Sequence, residues 1–133
     1  MKTLTLTAQY NGVYHLPQDP LVADAALRRV AGDLRRVTGK KAVLRALARA
    51  LTIPATFGGN WDALNDALQD LSWLPAHGIV LTLSGTGAFA ETAADDFAVL
   101  REILASAAAY WRGKGRVFVV FCDAPGLPEF PRR

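Results

Sequence analysis

One cysteine and two histidines are the whole supply of thiol and imidazole in this 133-residue chain. A lone Cys122 excludes an internal disulfide framework and fits a reducing compartment. It closes an apolar run and reads as a small buried hydrophobe. His15 and His77 fall in unrelated segments, so neither suggests a metal site. No apolar run approaches the roughly 18–20 residues of a membrane span. Met1 to Gln9 alternates threonine with apolar residues and lacks the cationic start and apolar block of a signal peptide. A soluble, cytoplasmic protein that does not enter a membrane is the expectation. Ser/His/Asp order, Cys/His spacing, a phosphate loop and a zinc pattern are all missing. The chain is therefore read as a non-enzyme, with no catalytic residue, cofactor or metal.

Basic residues are missing from one long stretch: no Lys or Arg lies between Leu51 and Leu100. Residues 1–54 carry nine Lys/Arg against three Asp/Glu, a net +6. Residues 55–100 carry six acids alone, a net −6, and residues 101–133 return to +3 with six basic and three acidic residues. The overall +3 hides this segregation. A uniformly basic chain would suggest nucleic acid. An acidic patch instead repels phosphate and attracts a basic protein surface. At 51% hydrophobic and 20% charged, the composition is globular and sufficient for one domain with a core.

The acidic stretch contains the segment around which the chain is organised, Thr56-Phe57-Gly58-Gly59-Asn60-Trp61-Asp62-Ala63-Leu64-Asn65-Asp66-Ala67-Leu68-Gln69-Asp70-Leu71. Gly58 and Gly59 suit a tight turn, by positive φ or by close backbone approach. Asn60 is a good N-cap, and Asp62 in the first turn suits the positive end of the helix dipole. Ala63, Leu64, Ala67, Leu68 and Leu71 form an apolar stripe at helical spacing. Asp62, Asp66 and Asp70 stand four apart on the other side, where like charges repel. Trp61 lies on or near that acidic face. Such a helix is either ordinary solvated surface or a surface awaiting a cation.

Elsewhere the pattern predicts an α/β fold. Leu4 to Gln9 and Val13 to Leu16 are β-like runs joined by Asn11-Gly12, a two-residue hairpin signal. Leu21 to Ala26 suits a short helical turn, and part of Leu27 to Val37 a sheet strand. Lys41 to Leu51 is an amphipathic helix with Leu44, Leu47, Ala48 and Leu51 inward and Arg45 and Arg49 outside, stopped by Pro54. Trp73 closes the acidic helix as a core residue. Ile79 to Leu83 reads as a strand covered on both faces, and Ser84 to Ala90 as a loop. A helix follows from about Phe97 to Trp111, with Leu100, Leu104, Ala107 and Trp111 inward. Val117 to Cys122 is a second buried strand, and Pro125, Pro128 and Pro131 mark a non-helical tail. This order implies a small parallel sheet with packed helices. Arg28, Arg29, Arg35, Arg36, Lys40 and Lys41 form a basic cluster without interleaved aromatics, read as a solvated face rather than a nucleic-acid site.

Pro54 through Leu68, with its proline, aromatic, glycine, Asn60, Asp62-Ala63-Leu64 and Asp66, resembles the barstar family of intracellular ribonuclease inhibitors. The likeness extends in order over residues 28–122. It implies a three-stranded parallel sheet with packed helices; the chain is expected to form a single domain, 1–133, in which residues 1–20 add an N-terminal hairpin and 123–133 a proline-rich tail outside the resemblance. The resemblance implies also that the acidic helix and the loop before it plug the active site of a basic ribonuclease or toxin nuclease, as in an immunity protein or antitoxin. Asp62 and Asp66 would pair with the cations that otherwise hold RNA phosphate, and Thr56 to Gly59 would supply shape and backbone contacts. The partner surface then comprises Thr56, Phe57, Gly58, Gly59, Asn60, Trp61, Asp62, Asn65, Asp66 and Asp70. The family archetype has two tyrosines before its glycine where Thr56 and Phe57 stand. It has a tryptophan at the place of Asn65 and a late-helix glutamate near Ala109. Two readings of other kinds stand beside it: a nucleic-acid-binding or regulatory module using the basic residues 28–49, and a scaffold of the same fold with another protein partner.

Overall fold

A computed structural model describes residues 6–15, 27–54, 59–74 and 78–130. Its centre is a parallel sheet of four strands, β1 (Gly12–His15), β2 (Leu27–Asp33), β3 (Gly78–Ser84) and β4 (Val117–Cys122), in the order β1-β4-β3-β2. The α-helices are α1 (Lys40–Ala50), α2 (Trp61–Leu68), α3 (Thr86–Thr92) and α4 (Ala94–Gly113). The α/β architecture expected from the sequence is thus the observed one. Among the described residues no helix is long and apolar enough to cross a membrane.

The pleat divides the central strands between two cores. Ile79, Leu81 and Leu83 of β3 and Phe118, Val120 and Cys122 of β4 face the larger one. They meet Val43, Leu44, Leu47, Leu64, Leu68, Leu100, Leu104 and Ala107 from the helices. Val80, Val117, Val119 and Phe121 point the other way, into a smaller cluster with Leu6 and Phe130. Because both faces are covered, every residue of β4 is buried, the burial that a continuous apolar run implies.

Four corrections concern local structure. First, the N-terminal hairpin is not formed: Ala8–Tyr10 is a short 3-10 turn, and β1 joins the sheet parallel to β4, with Gly12 opposite Val119. The Asn11 side chain explains this. Its amide donates to the carbonyls of Arg116 at 2.8 Å and Ala108 at 3.1 Å, and its oxygen accepts from Phe118 N–H at 2.7 Å. Asn11 thus acts as a ladder partner for the start of β4 and not as a turn residue. The three expected strands therefore become four. Second, Ser84 to Ala90 is largely helical, as α3, because its N-terminus is capped from the end of the neighbouring strand, β4. The Asp123 carboxylate accepts from the N–H groups of Gly85 (2.9 Å), Thr86 (2.7 Å) and Gly87 (3.3 Å). Third, α4 begins at Ala94, so Asp95 and Asp96 lie within its first turn, where they favour the dipole, and not before it. Fourth, Ala48 of α1 is only half-buried, while Val43 is fully enclosed.

As far as Phe130 the tail is non-helical, as Pro125 and Pro128 require, yet it is packed. Ala124, Leu127 and Phe130 are buried, and Pro128 accepts from His15 N–H at 2.9 Å. The short turn expected over Leu21 to Ala26 lies outside the described residues.

Candidate functional site

The acidic helix forms where the sequence places it, and each end is fixed by named contacts. Gly59 has φ +71, and a Cβ there would meet nothing within 4 Å. Glycine therefore serves the turn's dihedral and not a close approach. Asn60 stands in extended conformation, and its side-chain oxygen accepts from Ala63 N–H at 2.7 Å, capping α2. Leu64 and Leu68 are wholly buried, so one face of the helix is committed to the core.

One indole holds the other end of α2, and a second ties the turn beyond it to α1. Trp111 of α4 donates to the carbonyl of Leu68, the last residue of α2, at 2.7 Å. Trp73, half-buried, donates to the carbonyl of Leu51 at the end of α1 at 2.9 Å. A buried indole N–H needs an acceptor, and carbonyls at helix C-termini lack intrahelical donors. Each contact meets both needs. Periodicity places Trp111 inward. Its partner, forty-three positions away, has no local signal beyond the general demand of an indole for a hydrogen bond.

Against this fixed background the carboxylates can be located. Asp62 and Asp66 are exposed, one turn apart on α2. Neither carboxylate makes a hydrogen bond or ion pair with another described residue. Asp70 is exposed too, but α2 ends at Leu68, so Asp70 sits in the turn beyond, where its carboxylate accepts from the Ser72 hydroxyl at 3.3 Å. The helical file thus holds two acids, with the third displaced onto a turn. Asn65 is half-buried, and Trp61 packs partly against the main core. Gly59 and Asn60 are exposed. Thr56, Phe57 and Gly58 lie outside the described residues.

Cys122 is 1% exposed, and its thiol is pushed up to about 12, first by burial and then by the adjacent Asp123 carboxylate. It remains a protonated core residue at neutral pH.

The model of the family described as "Barstar (barnase inhibitor)" matches residues 27–123. No curated protein matches the chain. The match opens at Leu27, the first residue of β2, and closes at Asp123, the residue that caps α3, leaving out the N-terminal strand and the packed tail. It includes the capped acidic helix and the strands and helices that hold it. The chain belongs to the barstar family.

Proposed function

We propose that this protein inhibits a basic ribonuclease by seating α2 and the turn before it in the enzyme's active site. The carrying observation is the pair Asp62 and Asp66, exposed and unpaired among the described residues, on a helix anchored at both ends. Carboxylates one turn apart imitate successive phosphates, so an enzyme built to grip RNA grips the helix. Fixing α2 in advance reduces the ordering cost of association. With no Lys or Arg between Leu51 and Leu100, α2 itself offers only negative charge, which would favour approach of a cationic partner. Gly59, Asn60, Trp61, Asn65 and Asp70 would border the contact, with Thr56, Phe57 and Gly58 contributing from the loop. The role would be that of a cytoplasmic immunity protein or antitoxin.

The test is inhibition of a barnase-type ribonuclease by wild type and by Asp62 and Asp66 variants. In the barnase–barstar complex, the family's archetype, close charge pairs couple by roughly 1.5–7 kcal/mol. Asp66→Ala should weaken the complex by at least about 2 kcal/mol, roughly thirtyfold in Kd. Folding should change little, because the side chain is exposed. Equal inhibition by wild type and the Asp62/Asp66 double alanine variant would refute the assignment.

A further inference from the structure

Away from α2, on the face formed by α1 and the end of β2, lies a cleft of about 250 Å³. Asp33, Arg36, Val37, Ala42, Arg45, Ala46 and Arg49 line it. Its one acid is already engaged: Asp33 accepts from the Arg35 guanidinium through both oxygens, at 2.9 and 2.8 Å, and from Arg35 N–H at 3.0 Å. These bonds hold the Asp33 carboxyl well below the usual range, so it stays ionised and neutralised by Arg35. The remaining charge belongs to Arg36, Arg45 and Arg49, all exposed, none with a side-chain hydrogen bond or ion pair to a described residue. Arg45 and Arg49 are four apart on one helix, so their guanidiniums repel unless an anion stands between them.

We propose that this cleft binds a compact phosphate anion of the diphosphate type, held by Arg36, Arg45 and Arg49. The donor set favours phosphate. Three guanidinium forks and no lysine line the cleft, and such forks match the several non-bridging oxygens of a diphosphate, whereas one carboxylate saturates a single fork. Half-buried Val37, Ala42 and Ala46 supply an apolar floor that lowers competition from water. The cleft is smaller than the roughly 300–1,000 Å³ of sites that enclose whole drug-sized ligands, so it takes the phosphates and leaves any nucleoside outside. No aromatic side chain lines it, which removes the stacking platform that binding of an RNA strand uses.

Pyrophosphate titrated calorimetrically into the full chain at fixed ionic strength decides the matter. Saturable binding of one equivalent is expected, with sodium chloride at matched ionic strength giving none. Arg45→Ala and Arg49→Ala should each weaken it about tenfold, the loss of one charge-assisted fork. Arg101→Ala, on exposed α4 surface away from the cleft, should leave it unchanged. The paired variant R45K/R49K keeps the charge and stems, so it covers the case of an alanine variant that fails to fold. It too should bind more weakly, because the fork is gone. A nucleoside 5′-diphosphate should match pyrophosphate, because the cleft takes the phosphates and leaves the nucleoside outside. No saturable binding, undiminished binding by the alanine or lysine variants, or tighter binding of a 5′-hydroxyl oligoribonucleotide than of pyrophosphate would overturn the proposal.

Discussion

Asp123 shows how one side chain can do the work of a missing local cap. Gly85, at the start of α3, has no side chain to offer, and Asp123 supplies the oxygens from the end of β4, bonding also to the Thr86 hydroxyl. Partial burial opposes its ionisation, yet the Thr86 hydroxyl and the N–H groups of Gly85, Thr86 and Gly87 together lower its pKa. A depressed folded-state pKa means that the unfolded chain takes up the proton first as pH falls. Its stabilisation is therefore complete above the ordinary aspartate value of about 3.9 and declines as pH drops through the folded value. Asp123→Asn should flatten this acid limb in urea titrations run from pH 6 downward, and an unchanged limb would contradict the assignment. Backbone geometry sets two further expectations of opposite sign. Gly85 has φ +80, and a Cβ there would run into the backbone of Leu34 and Arg35. Gly85→Ala should destabilise by at least about 2 kcal/mol. Thr52, β-branched and exposed, holds φ +50 just after α1. Thr52→Gly should raise stability by about 1 kcal/mol, since the strained dihedral is relieved.

At the scale of elements, α2 is a short helix, eight residues, below the length at which helices persist alone in water. It is held by Leu64 and Leu68 in the core, by the Asn60 cap and by the Trp111 indole. Trp111→Phe keeps most of the apolar contact and removes the N–H. It should destabilise the fold by about 1–2 kcal/mol and weaken ribonuclease inhibition as α2 loosens, seen as faster amide exchange in residues 61–68. Unaltered exchange there would show that the indole does not hold the helix. The existence of α1, α2, α4, β3 and β4 was legible in the sequence because each carries its period and its stops within its own span. What was not legible depends on partners far along the chain. The Asn11-Gly12 pair has the chemistry of a hairpin turn, and only the carbonyls of Ala108 and Arg116 redirect it. Likewise, α3 looks like a glycine-rich loop until Asp123 is brought to it. In the candidate site, the exposure of Asp62 and Asp66 followed from the stripe opposite. The early end of α2 did not, because Gln69 and Asp70 carry no strong stop and the chain turns there through Leu71 at φ +51.

For the molecule as a whole, the two faces of the sheet are defended differently. Among the described residues, helices cover one, while the other is covered by the N-terminal segment and the tail, whose aromatic rings interlock. Phe130 lies 5.0 Å from the Tyr14 ring, 5.3 Å from Tyr10 and 5.5 Å from Phe121. Phe130→Ala should lower stability by about 3 kcal/mol in chemical denaturation and expose Val119 and Phe121 to hydrophobic dyes, although Phe130 lies beyond the family match. A loss under about 1 kcal/mol would mean that the tail is a passenger.

The chain's three tryptophans are Trp61, Trp73 and Trp111. One begins the acidic helix, one closes the turn after it and one grips its final carbonyl. Nature has in effect wired every indole chromophore to a single element. Intrinsic emission from the unlabelled protein should accordingly report the seating of that helix, so that engagement by a nuclease, or its release, could be followed in real time by a change in colour or quenching.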